Sequence, residues 1–145
     1  MKRMILMLLV SVCTCLLSYA QEMKECGLDD TPKFVPTGKP CGEPQRSKPS
    51  KEDVIYGDSE FRLWVFDSPK GGPTFGIWES TPGKWKYTSP QWEYCRILSG
   101  KTIITEDGGE SITVKAGDSF LLKVGVRCTW EVLETTRKEF VAYSF

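Results

Sequence analysis

Short apolar runs separated by turn residues fill the chain from about residue 54 to its end. Gly, Pro or Asp-Gly positions separate runs that are rich in β-branched and aromatic residues: FRLWVF, TFGIWES, WEYCRILSG, KTIIT, ESITVK, SFLLKVG, RCTWEVLE and KEFVAYSF. No long stretch holds the spacing of an amphipathic helix. Many short strands at regular intervals are typical of a β-sandwich or β-barrel, so residues 53–145 are predicted to form one all-β domain.

Alternation within the run WEYCRILSG assigns its side chains to two faces of a strand. Glu93, Cys95 and Ile97 share one face, because successive side chains of a strand point to opposite sides. A pocket that contains Glu93 would therefore contain Cys95 as well. In the next hairpin, between IIT and ESITV, Gly108 and Gly109 are predicted to take positive φ, and the pair Arg137 and Lys138 is expected at a solvated strand end.

The first twenty residues have the pattern of a signal peptide. A basic start, MKR, precedes a fifteen-residue apolar run, and the small residues Ser18 and Ala20 stand before Gln21. Fifteen helical residues span about 22 Å, less than the roughly 30 Å hydrocarbon core of a bilayer. We expect cleavage after Ala20, a secreted or periplasmic protein, and no stable membrane insertion of the mature chain; the alternative is an uncleaved anchor.

Residues 21–52 are rich in proline and polar residues and are predicted to form an extended lead-in. Such a segment can also be a partner-binding arm, and its composition does not separate the two. Four cysteines would remain after cleavage, an even number that favours disulfides in an exported chain. Cys26 and Cys41 flank the proline-rich stretch and are the predicted pair, with free thiols or other pairings as alternatives.

Composition excludes several classes of function. The chain carries 19 basic and 19 acidic residues, and it has no run of Lys and Arg, so no nucleic-acid partner is expected. It contains no histidine. Catalytic triads and Cys–His pairs are therefore impossible in their usual form.

Residues 74–145 resemble the cupin superfamily. The similarity rests on Glu93 followed by Gly100 in an E-x6-G motif, and then on TEDGG, AGDSF and TWEVLETTRK in this order. More narrowly, this region is similar to small single-domain cupins related to the (S)-ureidoglycine aminohydrolase cupin domain. The resemblance implies a single cupin β-barrel, jelly-roll-like, with an interior pocket that binds a small molecule, and it suggests a possible homodimer.

The resemblance also implies where a metal would be bound. Metal cupins place two His and one Glu on the first motif and a third His on the second. Glu93 matches the Glu, but the first two His positions fall near Lys86 and Thr88, or one residue later at Tyr87 and Ser89, and Cys128 lies at the third. Gly117 and Gly125 match, whereas Lys123 replaces the usual proline. Glu93 and Cys128 alone are two ligands short of a tetrahedral zinc centre, so no metal or other cofactor is predicted, and the metal-dependent aminohydrolase activity is disfavoured.

The candidate ligand-binding residues combine polar groups expected near the first motif with aromatic rings: Trp78, Lys86, Glu93, Cys95, Cys128 and Trp130. Glu93 is the best catalytic candidate, although it can equally be structural and satisfied by Lys86 or a neighbouring Tyr. Lys86 is a candidate for the positive charge that a metal would have brought. The thiols can be buried core groups, a second disulfide or part of a soft metal site, and the tryptophans can be core or ligand lining.

The leading hypothesis is an exported, metal-poor cupin that binds a small polar ligand in its barrel. The alternative is an enzyme, either an isomerase or epimerase that uses Glu93 with Lys86 or Tyr87, or a metal-dependent hydrolase. A structural or interaction module that uses residues 21–52 for contact is a third possibility.

Overall fold

The computed structural model describes residues 34, 35, 37 and 40–145. The chain divides into two units, Met1–Gly42 and Glu43–Phe145, and every strand below lies in the second. The predicted signal peptide and Cys26 lie outside the described residues, so the cleavage site and the Cys26–Cys41 pair stay predictions. No helix long and apolar enough to cross a membrane occurs among the residues that are described.

The Glu43–Phe145 unit is built from strands and contains no helix, which confirms the predicted all-β class. The nine strands are β1 (Gln45–Ser47), β2 (Val54–Tyr56), β3 (Phe61–Asp67), β4 (Thr74–Ser80), β5 (Gly83–Thr88), β6 (Trp92–Glu106), β7 (Ser111–Lys115), β8 (Ser119–Leu122) and β9 (Arg127–Tyr143).

All strand pairs are antiparallel and belong to one curled sheet. Its main path runs β1-β3-β4-β9-β5-β2, and β6 pairs with β7, β8 and β9 beside this path. β9 pairs with β5 through its first half, with β4 through its second half, and with β6 along its length. The sheet therefore wraps around one interior, with β9 at its centre.

The two longest strands carry the bends of this sheet. Gly100 lies inside β6, where the register with β9 shifts on both sides of it, and it has a φ of 85°. A Cβ at Gly100 would clash with the carbonyl oxygen of Thr135. Gly100 forms a bulge within a continuous strand, and such a bulge lets a long strand bend without leaving the sheet.

The interior between these strands is apolar with a few paired polar groups. Its buried cluster consists of Trp85, Cys95, Ile97, Ile104, Val114, Leu122, Cys128, Trp130 and Val132. Thr102 on β6 and Thr136 on β9 are fully buried, and their hydroxyl oxygens lie 2.8 Å apart. The hydrogen bond between them satisfies both groups inside the core.

Three strands are absent from the predicted set: β1, β2 and β5. β1 is short and fully exposed, and it lies inside the segment predicted as an extended lead-in, so the sheet begins before residue 53. Pairing with β3 and an Arg46–Glu60 ion pair of 2.6 Å hold it in place. These are contacts with distant residues, which a local pattern does not contain. Of the hairpin glycines, Gly108 has a positive φ of 69°, but Gly109 does not.

Candidate functional site

A cavity of about 210 Å³ opens in the interior of the sheet. Strands β3, β4, β5, β6 and β9 supply its lining, together with one residue that precedes β6. The lining residues are Phe61, Leu63, Trp78, Trp85, Tyr87, Gln91, Glu93, Trp130, Lys138 and Phe140. We call this space the barrel cavity.

Six rings make up most of the lining, and we call them the aromatic wall: Phe61, Trp78, Trp85, Tyr87, Trp130 and Phe140. Trp78 lies at its centre, with ring centroids 5.7 Å from Trp130, 6.3 Å from Trp85 and 5.3 Å from Phe61. These spacings are those of offset and edge-to-face aromatic pairs, which pack firmly. The wall is therefore a preformed apolar surface against which a flat molecular face can lie.

The polar part of the barrel cavity is a buried ion pair. The Lys138 Nζ donates a hydrogen bond of 2.7 Å to the Glu93 Oε1, and the two residues are only 6% and 5% exposed. Lys138 Nζ also lies 3.4 Å from the Cys95 Sγ. The expectation that Lys138 lies at a solvated strand end is wrong, because Lys138 lies within the second half of β9 and its side chain is buried.

Neighbouring Arg137 shows why the two basic residues behave differently. Side chains alternate along β9, so Arg137 points away from the interior and pairs with Glu79 at 2.7 Å. Its guanidinium also stacks over the ring of Trp64, 5.4 Å from the centroid.

The ammonium of Lys138 is held by rings as well as by the carboxylate. It lies 4.8 Å from the centroid of Trp130, 5.2 Å from that of Trp78 and 5.9 Å from that of Phe140. Each distance is within the range of a cation–π interaction. A buried charge needs such partners, since desolvation alone would drive the amine to its neutral form.

Burial controls the protonation of the groups around Lys138. Burial acts to lower the pKa of Lys138, but the charge that Cys95 carries once it ionises, together with the charge and the hydrogen bond of Glu93, outweighs burial and raises that pKa. At neutral pH it is the Glu93 carboxylate that keeps the ammonium charged. Burial raises the pKa of the Cys95 thiol to about 12. It also raises the pKa of Tyr87, with a further contribution from the charge of Glu93. At neutral pH the site therefore holds an ammonium, a neutral thiol and a phenol that keeps its proton.

The structure brings three of the six candidate residues to the barrel cavity: Trp78, Glu93 and Trp130. Lys86 is exposed, and alternation along β5 turns it away from the cavity, while Trp85 and Tyr87 face inward. Lys138 holds the position beside Glu93 that Lys86 was expected to fill. Lys86 was a candidate because the first His position of the cupin motif, counted back from Glu93, falls near it.

Both candidate cysteines are buried, free thiols outside the cavity lining. Cys95 lies behind Lys138 and contacts its ammonium. Cys128 belongs to the core cluster, and burial raises its pKa. Of the alternatives left open for these thiols, the structure shows the buried core groups and not a second disulfide.

Seven lining residues were not among the six ligand-binding candidates, although Tyr87 was named as a catalytic partner of Glu93 in the enzyme hypothesis: Phe61, Leu63, Trp85, Tyr87, Gln91, Lys138 and Phe140. For Lys138 a signal was present in the sequence. It stands two positions before Phe140 and four before Ala142, both of which are buried, so strand alternation places all three on one face. The other residues come from several different strands, and only the curling of the sheet brings them to one cavity.

The side chains of the barrel cavity do not fit a metal ion. No group of three Cys, Asp or Glu side chains that could hold one occurs among the described residues, and the chain has no histidine. The carboxylate of Glu93 and the sulfur of Cys95 both contact the Lys138 ammonium. A cation of the protein itself therefore occupies the place where those donors converge.

Comparison with known families decides the classification of this fold. The EutQ-like cupin domain matches residues 67–140 of the chain, which include the pocket-forming parts of β4, β5, β6 and β9. The chain belongs to the EutQ-like cupin family. The predicted cupin recognition and the single, jelly-roll-like cupin β-barrel are thereby confirmed, and the protein is related to EutQ and DUF861 proteins.

Solved structures share this fold at low sequence identity. A DUF861-family protein of unknown function from Pseudomonas syringae superposes with a TM-score of 0.63 at 23% identity over 68% of this chain, which spans 43% of that protein. The Clostridium difficile EutQ protein gives a TM-score of 0.55 at 15% identity, covering 70% of this chain and 95% of that one. A putative ethanolamine utilization protein Q from Salmonella typhimurium gives 0.52 at 16% identity, covering 66% and 77%. No curated protein matches the chain significantly in sequence.

Proposed function

We propose that this cupin binds a small, uncharged polar molecule in the barrel cavity. The observation that carries the proposal is the buried Lys138–Glu93 pair set into the aromatic wall. Among the lining residues that the structure describes, Lys138 and Glu93 alone are charged, and their charges cancel. A charged ligand would find no further counter-ion there, and its desolvation would go uncompensated.

The size of the cavity and the chemistry of its lining restrict the class of ligand further. About 210 Å³ is less than the range usual for drug-sized ligands, so the site suits a small metabolite. Glu93 accepts hydrogen bonds, Lys138 donates them, and the protonated Tyr87 phenol can do either. A ligand that carries both donors and acceptors on one edge and an apolar face on the other, such as a sugar, a polyol or a cyclic amide, matches these groups.

Tryptophan fluorescence provides the direct test. Trp78, Trp85 and Trp130 line the cavity, so a ligand seated there changes their emission and raises the unfolding temperature. We would titrate the purified protein with a panel of neutral sugars, polyols and amides, and with charged analogues of each. Binding by neutral members, weakened in Trp78→Phe but not in the control Trp64→Phe, is the expected result. Trp64→Phe is a suitable control because Trp64 stacks on Arg137 and does not line the cavity. If no neutral compound binds, or if the charged analogues bind better, the proposal is wrong.

Catalysis by Glu93 is the second candidate, and the geometry favours it less. A general base must accept a proton from the substrate, but Glu93 already accepts a charged hydrogen bond from Lys138 at 2.7 Å. A metal-dependent hydrolase lacks a fitting donor set, as described above. Isomerase or epimerase turnover of any bound ligand, abolished by Glu93→Gln, would favour the enzyme over the binding protein.

Export is part of the same proposal and rests on the sequence pattern of residues 1–20. We expect the mature chain to begin at Gln21 and to lie outside the cytoplasm. Mass spectrometry of the protein isolated from its native cells would identify the first residue. A chain that retains Met1 would contradict the cleavage site.

A further inference from the structure

We propose that the Lys138 ammonium is the resident cation of this barrel and takes the place that a metal ion holds in metal-binding cupins. The inference does not depend on which molecule the barrel cavity binds. Its starting point is a difference from metal-binding cupins. In those cupins the resemblance implies a metal held by His and Glu, whereas in this site a lysine holds Glu93.

The contacts of Lys138 are those of a cation at the centre of a site. Its Nζ contacts the Glu93 carboxylate at 2.7 Å and the Cys95 sulfur at 3.4 Å, and it lies against the faces of Trp130 and Trp78. The same carboxylate is the one residue of the first motif that matches the metal-binding pattern. The ammonium thus neutralises the charge that a divalent ion would otherwise neutralise.

A metal ion and this ammonium exclude one another. A divalent ion beside Glu93 and Cys95 would stand next to a buried positive charge, and repulsion at that distance is severe in a desolvated site. The wild-type cavity is therefore expected to bind no transition metal.

Replacing Lys138 should leave the Glu93 carboxylate and the Cys95 sulfur, which Lys138 now contacts, free to bind a metal ion. Lys138→His removes the ammonium and places an imidazole in the same space. The imidazole extends about 2 Å less far than the lysine side chain, and this difference is the length of a metal–nitrogen bond. Imidazole, the Glu93 carboxylate and the Cys95 thiolate would then supply three donors of the types that Co²⁺ and Zn²⁺ accept. The variant is expected to gain a metal site that the wild type lacks.

The experiment uses Co²⁺ alone, added to the tag-free full chain. Lys138→His should bind about one Co²⁺ per chain and show a thiolate-to-cobalt charge-transfer band, and Cys95→Ser in the same background should abolish this band. The matched control is Lys86→His, which adds a histidine on the outer side of β5. Wild type and control should show only the spectrum of the free ion. If Lys138→His folds and binds no more Co²⁺ than the control, the proposal is wrong.

A second experiment uses the wild-type protein, so it does not depend on whether the variant folds. We expect its unfolding temperature to be unchanged by Zn²⁺ or by a chelator. A rise with Zn²⁺ that disappears in Glu93→Gln would overturn the proposal, because Glu93 would then bind metal despite Lys138. Neither experiment uses a ligand of the barrel cavity. Failure of the ligand-binding proposal can therefore be distinguished from failure of the proposal about Lys138.

Discussion

Lys138 and Glu93 place opposite charges side by side where water hardly reaches. Each is less than one-tenth exposed, and each is expensive to bury alone. The rings of Trp78 and Trp130 add attraction for the cation but cannot replace the carboxylate. The pair is therefore stable when both residues are present, and removing one of them alone is costly to the stability of the fold.

Removing one partner should show this cost. Lys138→Met leaves the Glu93 charge buried without its ammonium and is expected to lower the free energy of unfolding by about 3–5 kcal/mol. Lys86→Met, on the exposed side of β5, should change it by no more than about 0.5 kcal/mol. Urea unfolding measures both. Adding Glu93→Gln to Lys138→Met should recover part of the loss, and a double variant as unstable as the sum of the single variants would contradict the pairing.

The Cys95 thiol should make stability depend on pH in the alkaline range. Its pKa rises from an ordinary 9.0 to about 12 because burial disfavours the thiolate. Between these values the folded chain keeps a proton that the unfolded chain loses, so the contribution is complete below about pH 9 and decreases as the pH rises towards 12. The difference in unfolding free energy between wild type and Cys95→Ala should therefore shrink from pH 8 to pH 11. Parallel pH profiles would contradict this assignment.

At the scale of elements, β6 and β9 determine the shape of the sheet. Both are long enough to bend, and the bulge at Gly100 lets β6 follow β9 across the register shifts. The bend places Glu93 and Cys95, at one end of β6, opposite the inward face of the second half of β9. The geometry of the site thus depends on a glycine that lies outside it.

Gly100→Ala should be more damaging than a glycine substitution with similar backbone strain. Gly117 has a φ of 93°, close to the 85° of Gly100, but a Cβ at Gly117 would meet nothing within 4 Å. Gly117→Ala is expected to cost about 1 kcal/mol for the positive φ alone. Gly100→Ala should cost about 3 kcal/mol or more, because its Cβ also meets the backbone of Thr135. Equal losses in urea unfolding would show that the close approach to β9 is unimportant.

Thr102 on β6 and Thr136 on β9 form a buried pair of hydroxyl groups. Thr136 donates to the Glu134 carbonyl at 2.8 Å, so the proton shared between the pair comes from Thr102. Thr136→Val leaves the Thr102 hydroxyl without its acceptor in the core and should cost about 1–3 kcal/mol. Thr102→Val removes only the donor and should cost about 1 kcal/mol. Thermal unfolding of the two variants measures the order, and a larger loss in Thr102→Val would reverse the assigned direction of the hydrogen bond.

The whole barrel is contained in the Glu43–Phe145 unit, since every strand pairing joins residues of this unit. β1 covers the edge of β3, although it is short and exposed. The ion pair of Arg46 in β1 with Glu60 adds to the backbone pairing, and Lys48, directly after β1, pairs with Asp58 at 2.6 Å. The folding unit therefore begins ahead of the predicted boundary at residue 53.

Truncation should locate this boundary. A chain of residues 43–145 is expected to fold cooperatively, and a chain of residues 53–145, which lacks β1, should unfold at a lower urea concentration. Circular dichroism of both chains during urea titration measures the midpoints. Identical midpoints would mean that β1 contributes nothing to the barrel and that the boundary predicted from composition is adequate.

By itself the sequence determined the fold class and much of the barrel, because alternation and turn residues are local signals that an apolar interior reinforces. It placed Glu93 and Cys95 on one inward face for the same reason. The partner of Glu93 was decided by tertiary structure alone. Lys138 lies 45 residues further along the chain, and the nearer Lys86 points outward. Which cation reaches a carboxylate depends on how two strands pair and bend, and that geometry exists only in the folded, curled sheet.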